Sequence, residues 1–262
     1  MNPNWTGLIA TCASVVLFAS LYGPIKRLGR ARRLMLLAAS SICGIPAVLF
    51  ATYYLHVLPE WAWFYELRSW RGSEWLILPL ACAAACLAGF LPRILLPFVV
   101  SGLIAIAVVP YLKPLVSPVR DADFTDLWEG GACLQSTGSS CGPASVATIM
   151  AQLGIKESER EIAHAAFTSG SGTEAWYLAR HVRSKGLCAE FDFRPGLPDD
   201  LRLPAMVGVK LGAMGHFIAV LARDGDQLTV TDPLTGIKTM TLQDLKKHCE
   251  LTGFHLSITR DR

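Results

Sequence analysis

Residues 132–150 read ACLQSTGSSCGPASVATIM, an extended approach that bends and then becomes a helix. Gly138 to Ser140 make the bend, Gly142 lets the backbone approach a neighbour closely, and Pro143 suits a first helical turn, where its missing N–H is no loss. From Ala144 the run ASVATIMAQL continues the helix to Leu153. Cys141 therefore stands at a helix N-terminus, a setting that, with an imidazolium nearby, lowers a thiol pKa from about 8.5 by several units. Cys133, in the extended approach, lacks that setting and reads as a structural cysteine. The bend can also return Gln135 to Cys141, where its side-chain amide and a backbone N–H can together face an oxyanion.

A thiol nucleophile needs a base, so the histidines downstream decide the matter. SEREIAHAAF carries Ile162, Ala163, Ala166 and Phe167 on one helical face, and TEAWYLARHVRSKG runs as a helix from a threonine cap to a glycine stop. Beyond Gly186 the period shortens to that of strands: LCAEFDF, LPAMVGVKL, GHFIAVLAR, QLTVTD, IKTM and FHLSITR, with turns at DGDQ and DPLTG and one short helix, TLQDLKKHC. Helices first and an antiparallel sheet second predict an α+β domain of about 130 residues. Of six histidines, His56 lies in an aromatic loop, His164 and His181 on helical runs, His248 near a helix end and His255 in the last strand. His216 instead opens a strand directly after a glycine, and Asp232 closes the next strand. A hairpin can then set Asp232 beside His216 and hold the imidazole in the tautomer that faces the thiol.

Toward the N-terminus the chain changes character. It is 52% hydrophobic and only 17% charged overall, too apolar for an ordinary soluble protein. Nine Lys/Arg and three Asp/Glu precede Arg120, against fifteen and eighteen from there on, so the first part is basic and the second mildly acidic. Apolar runs at 5–22, 34–55, 75–91 and 94–112 approach the roughly 20 residues of a transmembrane helix, which predicts an all-α membrane bundle over 1–112, a linker at 113–131 and the second domain at 132–262. MNPNW lacks the positive n-region of a cleavable signal peptide. The cluster KRLGRARR, Lys26 to Arg33, belongs in the cytoplasm by the positive-inside rule, which puts the N-terminus and the second domain outside. Trp61, Trp63, Phe64, Tyr65, Trp70 and Trp75 then suit an external aromatic belt, and ACAAACLAG suits close helix packing. The four runs hold no Asp, Glu, Lys or Arg, which favours anchoring over ion transport.

Basic stretches interleaved with aromatics are missing from the second half, so nucleic acid is not an expected partner. The eight cysteines show neither CxxC nor a His-rich partner motif, so no metal site is expected, and no ligand cluster implies an organic cofactor. In an exported domain, Cys133, Cys188 and Cys249 could form one disulfide and leave one thiol.

QSTGSSCGPASVATIM, GSGTEAWYLARHV, GHFIAVL and TVTDPLTG, in that order, resemble the peptidase C39 and C39-like cysteine peptidases of papain-like fold, over residues 130–259. The resemblance implies Cys141 as nucleophile, His216 as general base and acid, Asp232 as orienting acid and Gln135 as oxyanion donor, acting on a peptide or protein substrate with no cofactor. Bacteriocin-processing members commonly carry an acidic residue before the cysteine, where this chain has Ser140, and are fused to an ATP-driven exporter, whose GxxxxGKS/T is missing here. Association with a separate exporter stays open. Two other readings compete: a catalytically idle C39-like receptor or scaffold that binds peptides at the membrane, and a serine hydrolase in which GSSCG is the GxSxG elbow with Ser140 at its centre.

Overall fold

In a computed structural model of the chain, residues 3–56 and 58–260 are described; positions 1, 2, 57, 261 and 262, within the expected bundle, loop and second domain, lie outside them. The chain divides into two units: residues 3–59 with 71–112, and residues 60–70 with 113–262.

The first unit is helical: α1 (Trp5–Lys26), α2 (Arg30–Thr52), α4 (Ile77–Ala88) and α5 (Leu96–Val108). Its interior is made of small side chains, Ala10, Ala81, Ala85, Cys86 and Ala107 among them, so the helices approach closely. A Cβ on Gly44 would lie 3.1 Å from the Leu80 backbone, and Thr11 Oγ1 donates both to Gly7 O within its helix, 2.9 Å, and across to Ala107 O, 3.1 Å. The basic cluster forms the α1–α2 junction, where Arg33 donates to Gly89 O at the end of α4, 2.6 Å, and to Lys26 O, 2.8 Å. Among the described residues, three helical stretches are long and apolar enough to cross a membrane, Trp5–Lys26, Arg30–Leu55 and Arg93–Tyr111, and a pair bent by 111°, Ala62–Ser69 with Ser73–Ala88, reaches that measure only together. The expected third run, 75–91, is shorter: with its leading 3-10 turn it spans Ser73–Ala88, about 24 Å of rise, because Gly89 and the turn before Pro92 end it.

The second unit holds α3 (Ala62–Ser69), α6 (Lys113–Val116), α7 (Cys141–Gln152), α8 (Glu159–Ala165), α9 (Ala175–Ser184) and α10 (Leu242–His248). A hairpin of β1 (Trp128–Glu129) and β2 (Ala132–Cys133) precedes a six-stranded sheet of β3 (Leu187–Phe193), β4 (Ala205–Leu211), β5 (Met214–Asp224), β6 (Gln227–Asp232), β7 (Gly236–Thr241) and β8 (Glu250–Arg260). The order is β3-β8-β4-β5-β6-β7 with every pair antiparallel, the α+β arrangement that the sequence predicts. Helix α7 is buried along nearly its whole length, and Ser145 Oγ donates to Phe217 O of β5, 3.2 Å, fastening it to the sheet.

Helix α3 comes from the segment expected to be a membrane-surface loop, yet it packs on α9 and the edge strand β3. Tyr65 inserts among Trp176, Phe191, Phe193 and Phe254, with ring centroids 4.9–5.9 Å away. Glu66 accepts from Arg183 at 2.5 Å and from the Phe191 N–H at 3.3 Å, while Arg180 donates to Arg68 O and Trp70 O at 3.0 and 2.8 Å. The α3 C-terminal carbonyls and the β3 edge are thus satisfied by each other's neighbourhood.

Candidate active site

Three element ends converge at the site: the N-terminus of α7, the start of β5 and the end of β6. Cys141 is the first residue of α7. Ser140 precedes it, fully buried, and its hydroxyl accepts from Thr137 N at 3.0 Å and donates to Thr137 O at 3.1 Å, closing the bend as a turn. A hydroxyl held in that way is no exposed elbow nucleophile, so the serine-hydrolase reading has no counterpart in the structure. Gly142 faces α9, where a Cβ would lie 2.9 Å from Leu178 Cδ1.

Strands β5 and β6 are neighbours in which Ala219 pairs with Thr231, so His216 and Asp232 fall at the same end of the sheet. His216 Nε2 and Asp232 Oδ1 are 2.8 Å apart, and the Cys141 side chain lies close enough to the same ring to act on its ionisation. With Nε2 engaged by the carboxylate, Nδ1 is the nitrogen left for the thiol. Burial of the ring pulls it toward the neutral form, but the Asp232 hydrogen bond and the Cys141 sulfur outweigh it and push His216 up from 6.5 to about 9. Burial would likewise raise Asp232, but its hydrogen bonds to His216 and to the Leu234 N–H, 2.9 Å, hold the carboxyl below its usual range. The result is an imidazolium at neutral pH, paired with a carboxylate and next to the Cys141 side chain.

Gln135 is tied to the same corner. Its N–H donates to Pro233 O, 2.9 Å, and its Nε2 donates to Thr137 O, 2.7 Å, while Oε1 is buried without a hydrogen-bond partner. The flipped amide would set two oxygens against each other at Thr137, so Nε2 keeps one further N–H beyond that bond.

Four other histidines are engaged elsewhere: His181 Nε2 with Glu157, His164 Nε2 with Asp121, His255 Nε2 with Gly196 O and His248 Nδ1 with Asp244 O, at 2.8, 2.8, 2.9 and 2.7 Å. Cys133 is buried beneath α7, its N–H donating to Thr148 Oγ1 at 2.9 Å. Burial, with Glu159 and Asp126 nearby, pushes its thiol up to about 12, which makes it inert. Cys133 and Cys249 are both free thiols, so none of the pairings left open among Cys133, Cys188 and Cys249 is made in this structure. They sit on β2 and just after α10, elements that the fold does not pair. Among the described residues, no group of three His, Cys, Asp or Glu could hold a metal ion. The link from Glu159 to Ser136, beside Gln135, is invisible in the sequence, where Glu159 reads only as an acid in a helix's first turn.

The Peptidase C39 family model matches residues 131–261. An uncharacterised protein of Methanothermobacter marburgensis is 39% identical over 102 residues, which is 39% of this chain and 70% of that protein. FapD of Pseudomonas aeruginosa, described as a probable functional amyloid protease, is 28% identical over 141 residues, 50% of this chain and 60% of its own length. Among solved structures, the peptidase domain of Streptococcus ComA, a bifunctional ABC transporter involved in quorum sensing, aligns with a TM-score of 0.44 at 22% identity, covering 49% of this chain and 96% of that one. The matched residues make up half of the chain and carry the helix start and the strand ends that bring Cys141, His216 and Asp232 together: the chain belongs to the peptidase C39 family.

Proposed function

We propose that the chain is a membrane-anchored cysteine peptidase that cleaves a peptide bond through an acyl-enzyme intermediate. The observation that carries this reading is His216 held between Asp232 and Cys141. In the reaction Cys141 Sγ, its proton on His216, attacks the scissile carbonyl carbon. The negative charge that develops on the carbonyl oxygen faces the N–H groups of the first turn of α7 and the remaining Nε2 hydrogen of Gln135. As the C–N bond breaks, His216 gives its proton to the departing amine. Water then hydrolyses the thioester, with His216 as its base and Asp232 keeping the ring in place.

The peptidase unit lies outside the cytoplasm, and the count of crossings supports that side. Residues 60–70 belong to the same unit as 113–262, so both lie on one side of the membrane. On this reading the stretch between them crosses an even number of times: twice, with Arg93–Tyr111 as one crossing and the shorter Ser73–Ala88 as the other, or not at all. In either case α2 separates the unit from the basic Lys26–Arg33 junction, which the positive-inside rule assigns to the cytoplasm. Substrates are then exported peptides or protein segments close to the bilayer.

Substrate-trapping proteomics in native membranes tests the reading: Cys141→Ala accumulates uncleaved partners and loses thiol-directed labelling, while Cys133→Ala keeps cleavage and labelling. Cleavage that persists in Cys141→Ala would overturn it.

A further inference from the structure

Glu159, the first residue of α8, has a fully buried side chain that the proposed chemistry does not use. A buried carboxylate is costly unless it is hydrogen-bonded. Both of its oxygens turn to one residue: Oε1 accepts from the Ser136 backbone N–H at 2.9 Å, and Oε2 accepts from the Ser136 hydroxyl. That hydroxyl in turn accepts from the Thr125 N–H, 2.9 Å. Ser136 stands between Gln135 and Thr137, and the Gln135 amide orientation depends on Thr137 O. The segment is thus held at three points, by Pro233 O on one side, by Ser140 through Thr137 on the other, and by Glu159 from beneath.

We infer that Glu159 is a positioning residue for the oxyanion donor: through Ser136 it fixes the 135–137 backbone, so that the free Nε2 hydrogen of Gln135 stays aimed at the oxygen of the tetrahedral intermediate. The inference rests on the thiol-peptidase reading of Cys141 and Gln135. It makes a demand that a general packing role does not. Chemistry at Cys141 that builds an oxyanion depends on Glu159, and chemistry that builds none does not.

Two small probes of the full-length protein in detergent separate these cases. Acylation of Cys141 by p-nitrophenyl acetate passes through a tetrahedral oxyanion and releases p-nitrophenolate. Alkylation of Cys141 by iodoacetamide, followed by mass spectrometry of its peptide, displaces iodide without one. Glu159→Ala is expected to slow acylation about 10-fold or more, as loss of an oxyanion donor does, and to leave alkylation within about twofold. Glu159→Gln restores acylation to within about threefold, because its amide still accepts from the Ser136 N–H and donates to the hydroxyl. In a Gln135→Ala background, Glu159→Ala adds little. If Glu159→Ala does not accumulate as folded protein, Ser136→Ala carries the same test, with a selective fall in acylation of about threefold or more. Equal loss of both reactions, an unchanged acylation rate, or a full additional loss in the Gln135→Ala background overturns the inference. A Cys141→Ala protein that still shows the acylation burst overturns the underlying peptidase reading instead, a separate and recognisable outcome.

Discussion

At the scale of single residues, the site is a question of where one proton resides. The His216 pKa, raised to about 9, keeps the ring protonated through neutrality, and the proton is lost only in alkali. We expect the alkaline limb of kcat/KM to fall near pH 9, and Asp232→Asn to move that limb downward and lower kcat/KM by roughly 10- to 1000-fold, read from a pH series on both proteins. Linkage gives the same group a mark on stability. The raised His216 pKa contributes stability that is fully present below about 6.5 and lost as pH rises through about 9; the lowered Asp232 pKa contributes above 3.8 and is lost in acid. Denaturation of the wild type should thus lose stability between pH 6.5 and 9 by more than Asp232→Asn does. Cys141, His216 and Asp232 were legible because each stands at an element boundary that glycine, proline or a turn announces. Glu159 was not, because its partner Ser136 lies 23 residues away and is brought near only by the packing of α8. Thr173 misled for a local reason: Glu174 occupies the α9 cap, and the Thr173 hydroxyl bonds that of Thr168 instead, 2.8 Å.

At the scale of elements, the order of helices and then strands was readable from periodicity, and α7 to α10 and β3 to β8 fall where the apolar pattern puts them. The β1–β2 hairpin was not, since two-residue strands carry no period. Helix α3 shows what pattern cannot supply. An aromatic cluster beside membrane spans looks the same whether it meets lipid or protein, and here it divides: Tyr65 is buried at 3% exposure, whereas Trp63 remains 52% exposed. The two should behave differently. Tyr65→Ala is expected to destabilise the peptidase unit by about 3–5 kcal/mol, as other buried aromatic truncations do, and Trp63→Ala by less than about 1 kcal/mol, measured by denaturant titration of the full-length protein. Equal effects would mean that α3 is not part of the core.

At the scale of the whole molecule, the charge asymmetry and the hydropathy distinguish an apolar helical part from a second, mildly acidic part, but the cut is not a single point in sequence, because residues 60–70 go with the second unit. Hydropathy could not show this, since it reports what each segment avoids and not what it adheres to. The topology can be checked by cysteine-directed labelling with a membrane-impermeant reagent in intact cells. Positions near Glu60 and near Arg120 should label together, and a position in Lys26–Arg33 only after lysis; any other pairing contradicts the even count of crossings. The shared unit also sets an order of assembly during synthesis. Tyr65 leaves the ribosome long before Phe254, the last ring to close around it, and at roughly 5–20 residues per second the interval is on the order of ten to forty seconds. For that time the helix and strands that enclose Tyr65 are still to be translated, so the second unit cannot close its core around α3 until synthesis reaches β8.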